Sequence, residues 1–188
     1  RVSASVEQPR EGRMRRKNLA SPSAPGSAID QDLDTTEDNF YGVDLNRNNA
    51  RGFGMNGGSV PNPVSLVNRG SAAASEPETQ ALLAAAALGP ESRLRFYVDA
   101  HSFTQIFLAP MTGNQRRDAI TTNLATRMRA ALNNKYFWGP AEPGRGGIGT
   151  TADYFAYTFQ IPSWTLELEP RNGGVAYGGT GVSHSGFI

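Results

Sequence analysis

The segment Ser163–Glu169 constrains the fold most, because it alternates without a break. Trp164, Leu166 and Leu168 fall on one side of an extended chain, and Thr165, Glu167 and Glu169 on the other. A strand with one apolar face needs a covering layer, and two acids on its opposite face call for a purpose. A second strand is predicted at Arg93–Ala100, where β-branched and aromatic residues suffice for one. Its small polar continuation His101-Ser102 falls just beyond the carboxyl end, the edge at which open α/β sheets bind ligands.

Helices are predicted around these strands. Ser75-Glu76-Pro77-Glu78 reads as a helix start, with Ser75 capping the amide three residues on, Glu78 reaching back and Pro77 tolerated in the first turn. The Ala- and Leu-rich run Gln80–Leu88 follows, and Gly89-Pro90 stops it. Arg116–Leu132 places Ile120, Leu124, Met128 and Ala131 on one helical face, with Arg and Thr opposite. After the Gly/Pro-rich loop 139–149, Thr150-Thr151-Ala152-Asp153 can cap a short helix through Phe159, and Pro162 ends it. Residues 19–38 and 52–70 read as long loops, with structure resuming near Phe40. The pattern is that of an α/β chain.

With 188 residues, 38% of them hydrophobic, the chain can form one α/β domain and not two ordinary ones. A net charge of +1 provides no field for nucleic acid or an anionic membrane, and no run has the length of a membrane-spanning helix. Arg10, Arg13, Arg15, Arg16 and Lys17 therefore need a local explanation. There is no cysteine, so disulfide scaffolds, thiolate metal sites and cysteine nucleophiles are excluded, and only histidine and carboxylate can hold a metal. The start at Arg1 and the apolar end Phe187-Ile188 lead us to expect a segment of a longer protein.

Five short segments carry most of the remaining information. In order they are Arg13-Met14-Arg15-Arg16-Lys17-Asn18, Gly42-Val43-Asp44-Leu45-Asn46-Arg47-Asn48, Ser75-Glu76-Pro77-Glu78-Thr79, Asp99-Ala100-His101-Ser102 and Thr165-Leu166-Glu167-Leu168. The succession resembles the zinc carboxypeptidases related to the pancreatic digestive enzymes. The resemblance implies a mixed, mostly parallel sheet flanked by helices, without that family's N-terminal strands, in a single partial catalytic domain over 1–188. It implies zinc as cofactor, peptide or protein C-termini as substrates, and a secreted or periplasmic setting. Nothing in it fixes the oligomeric state.

Residue by residue, the resemblance makes His101 a zinc ligand, an imidazole well suited to the ion when its second nitrogen is hydrogen bonded. Glu167 matches the carboxylate that takes a proton from the attacking water, with Glu169 as its neighbouring rival. Arg16 matches the arginine that stabilises the oxyanion, with Arg13 and Arg15 as alternatives. Asn46 and Arg47 match the pair that grips the terminal carboxylate, for which a planar guanidinium offers two parallel hydrogen bonds. Ala152 falls at the floor of the specificity pocket, where a small neutral residue disfavours basic side chains.

The chain also departs from the pattern. The family's other two zinc ligands form a His-x-x-Glu motif, and neither His101 nor His184 begins one. With one of three ligands, these residues should bind zinc weakly and show little peptidase activity. Arg145 falls nearest the position of the family's mobile tyrosine, and Phe103 replaces the tyrosine after the His-Ser pair. Two rivals share the carboxylate clamp: a non-catalytic module that binds peptide C-termini, and a zinc deacylase of the same fold. A third, dinucleotide binding, is suggested by Gly144-x-Gly146-x-x-Gly149, but Pro140 and Pro143 separate those glycines from any preceding strand.

Overall fold

The computed structural model describes residues 17–18, 42–63, 65–90, 93–169 and 171. The loop expected at 19–38 and the return of structure at Phe40 lie outside them. Among the described residues, those up to Gly89 join Gly147–Thr151 in one compact unit, and Pro90–Gly146 joins the residues from Ala152 onward in a second.

The second unit is built on four strands: β1 (Tyr97–Ser102), β2 (Ile106–Ala109), β3 (Phe137–Pro140) and β4 (Ser163–Leu168). Their order in the sheet is β1-β4-β2-β3. β1 runs parallel to β4 and β2 to β3, while β2 and β4 are antiparallel. The sheet is thus mixed and mostly parallel, as expected. Strict alternation in β4 sets its two faces. Trp164 and Leu166 pair with Val98 and Ala100 on one side and Leu166 with Phe107 on the other, so these residues share a face.

Helix α2 (Gln115–Ala131) covers that face. Phe107, Ala109, Ala125, Tyr136 and Trp164 form the buried core there, with Val98, Leu124, Met128, Trp138 and Leu166 packed around it. Trp164 and Phe107 are each 1% exposed, and burial of such side chains contributes about 1.5–3 kcal/mol apiece. Helix α3 (Thr151–Phe159) packs on the opposite face through Phe155. Its ring stacks on Tyr97 with centroids 4.0 Å apart, and Ser163 Oγ donates to the Ala152 carbonyl.

The helical face of α2 differs from the one predicted. Leu124 and Met128 do pack on the core, but Ile120 is 43% exposed, and the buried residues are Arg117, Asp118, Thr121 and Ala125. The buried stripe is centred one residue later than predicted, about 100° around the helix. The buried arginine is held through two of its three nitrogens, Nη2 having no hydrogen-bond partner among the described residues. Arg117 Nε donates to the Ile161 carbonyl, and Nη1 donates to the Pro110 carbonyl and to Asp118 Oδ1.

Strand β1 also begins and ends later than predicted, so His101 and Ser102 belong to it. Pairing with Glu167 and Leu168 carries the ladder to that point. Part of the predicted 139–149 loop is strand β3, which ends on Pro140 at the sheet's edge, where a missing amide costs no ladder bond.

The first unit contains α1 (Pro77–Ala86) and a 3-10 turn at Leu45–Arg47. Its side-chain network is mostly polar, for among its buried residues Val43 is apolar while Asp44, Asn48, Asn49, Asn68 and Glu76 are polar. Asn48 alone donates to the carbonyls of Arg69 and Ala72 and to Ser75 Oγ, and it accepts from the Glu76 amide. That network diverts Ser75 from the predicted capping role. Its hydroxyl donates to Glu76 Oε1 at 2.6 Å, and Glu76, with no side-chain capping bond, is the N-cap of α1.

Candidate active site

In the first unit, the turn bearing Asn46 and Arg47 is set by Asp44, whose carboxylate accepts the Asn46 amide at 3.1 Å. Arg47 is anchored by its own guanidinium: Nε donates to the Gly58 carbonyl and Nη1 to the Asn46 carbonyl, each at 2.7 Å. Asn46 Oδ1 accepts the Thr151 amide at 2.9 Å. Gly149 lies against the same turn at φ +89°, and an added Cβ would stand 2.7 Å from the Arg47 carbonyl oxygen. Both the conformation and the space there require glycine.

In the second unit, His101 and Glu167 are register partners on the parallel strands β1 and β4, at their carboxyl ends. Residues so paired stand about 4.8 Å apart on the same face. His101 Nε2 lies 2.9 Å from Asp99 Oδ2, with both side chains partly buried. Our reading of the sequence gave Asp99 no role. The signal was its position two residues before His101 on one strand, which puts both on one face. Glu169 lies past the end of β4, is exposed and accepts from Gln105 Nε2 at 2.9 Å, so strand pairing aligns Glu167 and not Glu169 with the histidine.

Ala152 is buried at 1% exposure in the first turn of α3, and its carbonyl accepts Ser163 Oγ at 2.8 Å. Arg16 and His184 lie outside the described residues. His101 and Glu167 therefore come together in one unit, while Asn46 and Arg47 come together in the other.

The loop entering α3 has structural uses for its glycine amides. Gly144 N donates to the Met111 carbonyl and Gly146 N to Tyr157 Oη, which in turn donates to the Met111 carbonyl. Pyrophosphate recognition would need such amides pointed at the ligand. The glycine pattern is explained by loop closure.

Zinc needs a set of ligands, and the described residues do not fit it: no group of three or more His, Asp or Glu is placed to hold a metal ion. Below the Met111 loop, the charged pair Arg117–Asp118 is buried at 3.0 Å. Burial pushes the Asp118 carboxyl up, but amide bonds from Thr112 and Gly113 and the Arg117 guanidinium outweigh it and hold the group below its ordinary value.

The structure is similar to carboxypeptidase A from Helicoverpa armigera, with TM-score 0.61 and 24% identity over 83% of this chain and 37% of that one. It is similar to thrombin activatable fibrinolysis inhibitor, with TM-score 0.56 and 19% identity over 82% of this chain and 37% of that one. The bovine form of that protein, in complex with tick carboxypeptidase inhibitor, gives TM-score 0.60 and 19% identity over 82% and 51%. The chain thus matches between 37% and 51% of the length of these proteins, and at such identities the likeness is one of fold. Comparison with curated proteins finds no match. The family model described as zinc carboxypeptidase matches residues 3–178. The chain belongs to the zinc carboxypeptidase family.

Proposed function

We propose that these residues form the substrate-gripping and proton-transferring portion of a zinc-dependent carboxypeptidase that removes C-terminal residues from peptides. The observation that carries the reading is the pairing of His101 with Glu167 at adjacent strand ends, on the face where Asp99 also meets the imidazole. In this reading Arg47 and the Asn46 amide bind the terminal carboxylate, which restricts cleavage to the chain end. Arg16 stabilises the oxyanion. Glu167 takes the proton of the attacking water and passes it to the leaving amine. Ala152, small and neutral, takes the specificity-pocket position in this reading and disfavours basic terminal side chains.

Zinc belongs to this proposal only with ligands beyond those described, His101 supplying one of them. The 188-residue chain alone is expected to bind the ion weakly and to turn over little substrate. The test is release of the terminal residue from a blocked dipeptide, with its C-terminal amide as control, by a polypeptide that also carries a His-x-x-Glu pair. Chelator-sensitive release from the free acid and not the amide is expected, falling about 10²- to 10⁴-fold in Glu167→Gln. Equal cleavage of acid and amide would end the carboxypeptidase reading.

A second reading, a non-catalytic module for peptide C-termini, draws on the self-contained bonding of the Asn46–Arg47 turn. It predicts carboxylate binding with no turnover in any form of the protein.

A further inference from the structure

The turn that carries Asn46 and Arg47 is joined to a segment far along the chain by a relay of hydrogen bonds that passes from Asn49 through Thr151 to Asn46. Asn49 is 1% exposed, and its backbone amide donates to the Gly149 carbonyl at 3.1 Å. Its Nδ2 donates to that same carbonyl and to Thr151 Oγ1, each at 3.3 Å, and to the Leu45 carbonyl within the turn at 3.4 Å. The Thr151 hydroxyl, accepting from Asn49, donates at 3.4 Å to Asn46 Oδ1, which also accepts the Thr151 amide at 2.9 Å. All these residues belong to the first unit.

Direction matters because an amide side chain has two unlike ends. Two donors from Thr151 hold the oxygen of Asn46, so the other end of that amide is Nδ2, which can only donate. A donor is what an incoming carboxylate needs, whereas the reversed amide would oppose it with an oxygen. We propose that Asn49 and Thr151 are positioning residues that fix Asn46 in its donor orientation and so tune the preference for a free C-terminal carboxylate. The inference rests on the carboxylate-clamp reading of Asn46 and Arg47.

Aspartate at position 49 has nearly the same shape but no donor. It would set a carboxylate oxygen against the Gly149 carbonyl and draw the Thr151 hydroxyl proton to itself, away from Asn46. The burial of Asn49 leaves little water to relieve that conflict.

The test is titration of the 188-residue chain with N-acetyl-glycyl-phenylalanine and with its C-terminal amide, followed by NMR. The wild type should prefer the free acid, and Arg47→Met should lose the preference. Asn49→Asp is expected to reduce the acid-over-amide ratio about tenfold, the size of one charge-assisted hydrogen bond, with amide binding unchanged. A purely scaffolding role would weaken both ligands alike and overturn the inference. Should Asn49→Asp fail to fold, Thr151→Pro decides: it removes both donors to Asn46 Oδ1 at a helix's first position, where proline is well accepted, and must also lower the ratio. A ratio retained in these variants but lost in Arg47→Met overturns this inference alone. No acid preference in the wild type overturns the clamp reading as well.

Discussion

Asp118→Asn replaces one atom in the second unit and should cost a large share of its stability. The Asp118 carboxylate accepts the Thr112 amide at 3.0 Å, the Thr112 hydroxyl at 3.3 Å, the Gly113 amide at 2.8 Å and Arg117 Nη1 at 3.0 Å. Asparagine retains one acceptor oxygen, so the Gly113 amide would face an NH₂ group. It also leaves the Arg117 guanidinium, whose side chain is 2% exposed, without its counter-charge. One partner removed from a buried pair costs about 3–5 kcal/mol, against about 5–15 kcal/mol for a whole domain. With a urea slope of about 2 kcal/mol per molar, the midpoint should fall by roughly 1.5–2.5 M at unchanged slope. Urea unfolding at neutral pH, followed by tryptophan fluorescence through buried Trp164, is the assay. A shift below about 0.5 M would refute the view that this pair is buried and mutually dependent.

The same pair gives a pH dependence. Asp118 is held below its ordinary value, so its contribution is fully present above the unfolded carboxyl value of about 3.9 and is lost as pH falls through the lower folded value. The stability gap between wild type and Asp118→Asn, measured by urea titration at a series of pH values, should therefore be constant above about pH 5 and narrow in acid. A gap that widened in acid would reverse the sign of the argument. At the candidate site, Glu169→Gln should leave turnover within about threefold of wild type where Glu167→Gln loses orders of magnitude, in the blocked-dipeptide assay. The opposite ranking would move the base to Glu169.

The period of a strand was legible in the sequence, whereas the helical period of α2 misplaced part of its buried face. The alternation of Ser163–Leu168 gave the two-faced strand, and the sheet pairing follows from it, with His101 beside Glu167. Features held by polar bonds were not legible. Arg117 reads as a solvent-facing residue until the carbonyls of Pro110 and Ile161 are seen to receive its guanidinium. Ser75 reads as a helix cap until Asn48 claims its hydroxyl. No periodicity announces Asn48 and Asn49, since each bonds to groups distant in sequence and their use depends on where the chain returns. Asn46 and Arg47, the proposed clamp, stand out only by family resemblance, whereas Asp99 is within reach of strand periodicity.

The most direct test of the account is zinc titration of the 188-residue chain by equilibrium dialysis, with hydrolysis of a blocked dipeptide followed in the same samples. One histidine with Asp99 and Glu167 nearby, and no three-ligand group among the described residues, predicts occupancy well below one ion per chain at micromolar zinc and negligible turnover. One tightly held, chelator-sensitive zinc per chain with steady release of the terminal residue would contradict it.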